Sequence, residues 1–202
     1  MIKCAKEMRA TAAAALKGKW GSAVLTTFVY MAIACVGSGI LGIIPGLNLI
    51  AIIACVILVA GFDVALLNLL RTGEAIEVGC LFDFFKESRL WVTILLMYVY
   101  TFLWSLLFII PGIIKGYSYA MTPYILKDNP NMENNAAIEM SMAMMNGFKW
   151  RLFCLDLSFI GWAFLCVLTL GIGYLWLVPY MQTARAAFYE DVKAEFAGKA
   201  AA

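Results

Sequence analysis

Three pairs of apolar stretches, each opened by a tryptophan behind basic residues and split at glycine or Pro-Gly, constrain this chain more than any other feature. The openings are Lys17-Gly18-Lys19-Trp20, Ser88-Arg89-Leu90-Trp91 and Phe148-Lys149-Trp150. The splits are Pro45-Gly46, Pro111-Gly112 and Leu170-Gly171-Ile172-Gly173. Hydrocarbon offers peptide groups no partner, so a chain in lipid must close its own hydrogen bonds, and a helix, a tight break and a second helix do so. With 64% hydrophobic and 14% charged residues, the 202-residue chain lacks the polar exterior that a soluble domain needs. The reading is all-α: a single polytopic membrane helix bundle of about six transmembrane helices in three hairpin repeats. Its repeat units run approximately over 1–71, 72–127 and 128–202.

Apolar runs cover 20–44, 49–70, 90–110, 113–126, 152–170 and 172 to about 187. A span takes roughly 20 residues. The fourth and sixth runs are shorter and interrupted, by Lys115 and Pro123 and by Pro179 and Arg185, so they either cross with tilt and thinning or are re-entrant. Cytoplasmic loops retain Lys and Arg. Six spans with both ends inside place every one of the 15 basic residues except Lys115 on the cytoplasmic side. The basic N-terminus resembles a signal peptide, but the run after Trp20 is too long for one and is expected to be a retained first span.

Each hairpin is expected to follow an amphipathic helix lying in the inner interface. These are the Ala-rich stretch 10–16, the stretch 75–91 with Leu81, Phe84 and Phe85 on one face, and the stretch after Asn129-Pro130 with Ile138, Met142 and Met145 on one face. Gly116-Tyr117 to Pro123-Tyr124 resembles Gly173-Tyr174 to Pro179-Tyr180, which favours internal duplication.

The charge of +2 is too small, and the basic residues too dispersed, for nucleic-acid binding. Six cysteines show no metal-ligand or redox spacing and read as small core residues. Without histidine the usual general base is missing. No catalytic, cofactor-binding or metal-binding constellation is legible, so the expectation is a non-enzyme with no cofactor.

Candidate functional residues are those that apolar surroundings should not tolerate unless used. Asp63 and Asp156 lie inside apolar runs, where a carboxylate costs on the order of 3 kcal/mol and faces a bundle interior, a partner or water. They could form a proton or cation relay with Lys115; alternatively Asp156 reaches the inner headgroups and Asp63 bonds to Asn68 between helices. Short Pro-broken segments at matching places in repeats point to binding sites. Here they bring Tyr117, Tyr119, Pro123, Tyr124, Tyr174, Trp176, Pro179 and Tyr180, with an aromatic belt and ordinary kinks as the alternative. Lys115 is expected near outer headgroups, facing a lipid phosphate. Met132, Met140, Met142, Met144 and Met145 read as interfacial packing, with an amphipathic helix or Cu(I) as alternatives.

At Leu16-Lys17-Gly18-Lys19-Trp20, Phe108 to Lys115, Tyr117 to Tyr124, Asp128-Asn129-Pro130, Leu157 to Trp162, Leu170 to Gly173, Val178-Pro179-Tyr180 and Phe188-Tyr189-Glu190, the chain resembles a bacterial family of integral membrane proteins, domain of unknown function 975 (DUF 975). The likeness covers nearly the whole chain. It implies a multi-pass protein of the bacterial cytoplasmic (inner) membrane without an established activity. The family is itself distantly similar to the membrane domain of glycerophosphodiester phosphodiesterases, whose hydrolase portion has no counterpart here. Residues and resemblance together lead to an expected role in binding or handling lipid or a membrane-active amphiphile. A small transporter or channel using Asp63, or a membrane scaffold docking a cytoplasmic partner, are the alternatives. The expected partners are membrane lipids, with a cytoplasmic protein or a homo-oligomer as further possibilities.

Overall fold

Helix formation begins at Cys4, whose backbone N–H donates to Glu7 Oε2 at 2.9 Å and so satisfies one of the free donors at a helix start. This computed structural model describes residues 4–41, 47–86 and 88–200. The Pro45-Gly46 split, and the side chain of Phe84, lie outside the described residues. Among the described residues every regular element is helical. In chain order these are α1 (Ala5–Leu16), α2 (Trp20–Leu41), α3 (Leu47–Thr72), a 3-10 turn (Val78–Phe82) leading into α4 (Asp83–Lys86), α5 (Ser88–Leu107), α6 (Ile109–Tyr119), α7 (Thr122–Asp128), α8 (Asn134–Met144), α9 (Lys149–Leu157), α10 (Ile160–Leu168) and α11 (Tyr174–Ala200).

The centre is α3 packed on α11. Apolar on nearly all sides, α3 buries Ile57, Leu58, Phe62, Leu66, Leu67 and Leu69. From α11 come Ala184, Ala186 and Ala187, small enough for close helix approach, then Phe188, Tyr189 and Val192. Beneath α11, α1 is bent 98° from α2 and buries Met8, Ala12 and Leu16, one residue per helical turn. That is the geometry of a helix lying flat under a bundle.

By length and composition, two helical stretches among the described residues can cross a bilayer: Ile52–Thr72, and Lys149–Leu168 through the small break between α9 and α10. A third is counted if α1 and Trp20–Val36 form one bent span, while Leu90–Leu106 is shorter. Six full spans and a structural repeat are therefore not seen. The fourth apolar run breaks at Ala120–Met121 into α6 and α7, because Pro123 in the first turn of α7 has no N–H to continue the α6 ladder. In the sixth, α11 passes through Pro179 without ending and continues to Ala200; its polar second half dilutes the apolar first.

Two turns differ from expectation. The second hairpin reverses at extended Phe108, while Pro111 and Gly112 lie in the first turn of α6. Gly112 is needed for packing: a Cβ there would sit 2.7 Å from Ser105 Cα, inside the contact of α5 with α6. The stretch 75–91 is not one helix. Residues 73–77 are irregular, and the 3-10 turn packs along α3, with the Leu81 carbonyl where a Gly61 Cβ would come within 2.5 Å. This closeness is possible because Gly61 lacks that atom.

Further details revise the side-chain expectations. On α8 the buried set is Ala137, Ile138, Ser141 and Met144, with Met145 just beyond, leaving Met142 half-buried. α8 packs against α5, α7 and α6, and the Ser141 hydroxyl donates to the Ser118 carbonyl of α6 at 2.8 Å. The methionines are thus largely core residues. Of the cysteines only Cys166 is buried, and Cys4 and Cys35 are exposed.

Candidate functional site

Where α3, α9 and α11 meet, the bundle holds charge. Arg185 of α11 donates from Nε and Nη2 to the two carboxylate oxygens of Asp156 on α9, at 2.9 and 2.8 Å. Such a two-point fork is the strongest geometry an Arg–carboxylate pair can take. Tyr117 of α6 donates to Asp156 Oδ2 at 3.1 Å. Asp156 therefore turns into the bundle, not to headgroups beside Arg151.

Two cavities adjoin this pair. The first, about 210 Å³, lies between α3, α5, α6, α7 and α11; its wall includes Asp63, Tyr98, Tyr119, Tyr124, Gln182 and Arg185. The second, about 370 Å³, is bordered by Ser105, Gly112, Ile113, Tyr117, Leu152 and Asp156. Both share Thr101, Gly116, Ala120 and Arg185, so the guanidinium stands at their junction. Ile113 is 54% exposed, so the second cavity adjoins the apolar outer surface of the hairpin.

The first cavity carries unpaired acceptors. Asp63 Oδ1 and Gln182 Oε1 are both buried without a hydrogen-bond partner. A buried unpaired acceptor costs about 1–3 kcal/mol, more when charged. Asn68 does not supply the bond; it lines a separate cleft of about 310 Å³ with Asp83, Lys86 and Lys127. Thr101 and Ser105 spend their hydroxyl protons on the carbonyls of Met97 and Thr101, at 2.9 and 2.8 Å. No three Cys, Asp, Glu or His side chains gather as a metal site among the described residues. The arrangement accepts hydrogen bonds and compensates positive charge.

Six of the eleven candidate residues come together here: Asp63, Tyr119, Pro123 and Tyr124 on the first cavity, Tyr117 and Asp156 on the second. Tyr124 also stacks on Tyr189 at 5.1 Å. Lys115 lies behind Tyr119. Its Nζ is 4.9 Å from the Trp104 ring centre, 5.9 Å from that of Tyr119 and 3.8 Å from Met142 Sδ. It is on the wall of neither cavity.

The third-unit aromatics are elsewhere. Trp176 and Tyr180 line an apolar groove of about 430 Å³ with Trp20 and Trp162. Tyr174 packs against the core, and buried Pro179 accepts the Thr183 hydroxyl at 2.7 Å. The sequence reading missed Arg185, Gln182 and Tyr98 as site residues. One signal for Arg185 was available: it sits in Ala184-Arg185-Ala186-Ala187, among residues small enough for a buried helix contact.

A second ionic cluster ties α3, α7 and α11 at one end of the bundle. Asp128 accepts from Arg71 at 2.5 and 2.9 Å, from Lys193 at 2.6 Å and from Tyr189 at 2.7 Å. Arg71 also bonds Glu190 at 2.6 Å. Burial alone would raise the Asp128 carboxyl, but these donors outweigh it and hold the group well below the usual carboxylate range. Tyr189 is pushed up, by burial and by donating to that carboxylate.

Residues 1–116 and 106–195 match a family described as Protein of unknown function (DUF975). No curated protein and no solved structure matches, and the likeness to glycerophosphodiester phosphodiesterase membrane domains is not shown.

Proposed function

The chain belongs to the DUF975 family of proteins of unknown function, and on that premise we propose that it is a multi-pass protein of the bacterial inner membrane that binds an amphiphile, without covalent chemistry, in the cavity beside Asp63. Both termini face the cytoplasm. The observation that carries this reading is the pair of buried acceptors, Asp63 Oδ1 and Gln182 Oε1, left unpaired by residues that line one cavity. Polar groups this costly persist in apolar bundles where something enters to meet them. The neighbouring cavity, bordered by exposed Ile113, gives a lateral route from lipid.

Native mass spectrometry of protein extracted gently from its own membranes tests the reading. Wild type is expected to retain a small amphiphile that is lost in Ala60→Trp, which fills the cavity from its wall, and in the near-isosteric Asp63→Asn. An empty wild type, or the same adduct on all three folded proteins, would sink it.

A second reading, transport, is favoured by the position of Arg185 at the junction of the two cavities. Proteoliposome flux that depends on Asp63 would establish it, and flux unchanged in Asp63→Asn would remove it.

A further inference from the structure

We infer that the ligand of the first cavity is a protonated primary amine carrying an apolar tail; this rests on the binding role proposed above and names its chemistry.

The argument begins with charge. The charged side chains on the two cavities are Asp63, Asp156 and Arg185, a formal sum of one negative charge. Arg185 is committed to Asp156 through two hydrogen bonds, so the uncompensated carboxylate is Asp63. Lys115 does not make up the difference, since it lies behind Tyr119 and on neither cavity wall. One added positive charge balances the site. An anionic head would instead meet an unpaired carboxylate and a guanidinium whose charge Asp156 already balances.

Hydrogen bonding narrows the cation. Asp63 Oδ1 and Gln182 Oε1 both lack a donor; a primary ammonium brings three N–H groups and satisfies both. A quaternary ammonium has the charge but no donor. Divalent ions demand a shell of about six oxygens, and only these two buried acceptors are unpaired on this wall. Tyr98, Tyr119 and Tyr124 line the same wall, and aromatic rings are compatible neighbours for an ammonium group.

The tail follows from the second cavity. Gly112 and Gly116 on α6 and Ala120 just past its end recur at four-residue spacing and leave a strip almost without side chains, with Ile113 and Leu152 beside it. The cavity of about 370 Å³ over this strip meets the first at Gly116 and Ala120. A head beside Asp63 can therefore send its chain toward the apolar surface.

The test is equilibrium binding of dodecylamine to the full chain in phosphatidylcholine nanodiscs, whose lipid carries no primary amine. Dodecyltrimethylammonium and dodecanol serve as comparison ligands, with Asp63→Asn, Gln182→Leu and Ala60→Trp as variants checked for folding by circular dichroism. Saturable dodecylamine binding is expected, weakened at least about tenfold by loss of the donors in the trimethyl compound or of the charge in Asp63→Asn, and less in Gln182→Leu. Phosphatidylethanolamine discs separate the sources: competition with dodecylamine assigns the site to a lipid headgroup, and its absence to a free amine. If dodecanol or the trimethyl compound binds as tightly as the amine and Ala60→Trp abolishes binding, the amine assignment falls and the cavity stands. If no ligand saturates, or Ala60→Trp changes nothing, both fall.

Discussion

At the scale of single residues, Asp128 shows how much one carboxylate can hold. It receives hydrogen bonds from Arg71, Lys193 and Tyr189 and so fastens α7 to α3 and α11. Because its folded pKa is depressed, its contribution is full above the unfolded value, about 3.9, and is lost as pH falls below it. Thermal unfolding in detergent should show wild type weakening from roughly pH 5 to roughly pH 3. Asp128→Asn should cost about 1–2 kcal/mol at neutral pH, the partners being partly exposed, and should flatten that acid limb. An unchanged acid limb would refute the assignment. Sequence alone made Asp63 and Asp156 visible, because a carboxylate in an apolar run stands out. Arg185 did not stand out, since a basic residue closing an apolar segment is also what a cytoplasmic boundary supplies. Its pairing with Asp156 joins residues far apart in sequence, and nothing local encodes that.

Among elements, the least expected is the return of the 3-10 turn along α3. Apolar periodicity in 75–91 pointed to one helix, yet burying Leu81 on Gly61 outweighs continuing it. Gly61→Val should force the two backbones apart and cost at least about 2 kcal/mol, whereas Gly21→Ala, with nothing within 4 Å of the new methyl, should cost almost nothing. Equal melting temperatures for the two variants would contradict this packing. The hairpin of α5 and α6 was legible as a hairpin, but its corner was assigned to Pro111-Gly112. Proline is well tolerated in a first helical turn, where its missing N–H has no partner to lose, so the corner moved to Phe108. Glycine there marks close packing of α6 on Ser105, which a sequence cannot distinguish from a turn.

For the molecule as a whole, class was the most legible property: composition and long apolar runs point to helices, and among the described residues every regular element is helical, with two or three stretches able to cross a membrane by length and composition. Span number was not, because hydropathy does not show where an apolar run breaks, as the fourth does between α6 and α7. The proposed topology puts both termini on one face. In a background without other cysteines, a membrane-impermeant maleimide should label Cys4 and Gly198→Cys in inside-out vesicles only; labelling of the two from opposite sides would overturn it. The packing of α1 beneath α11 bears on how the protein is made. Met8, Ala12 and Leu16 are buried, Arg9 donates to the Ser158 carbonyl at 3.2 Å, and α11, which covers α1, is synthesised well after it. At about 5–20 residues per second, the first helix waits on the order of ten seconds or more with its apolar side uncovered. During that interval the nascent chain must be sheltered by lipid or by the insertion machinery, and only when α11 has been made can the two helices close on each other.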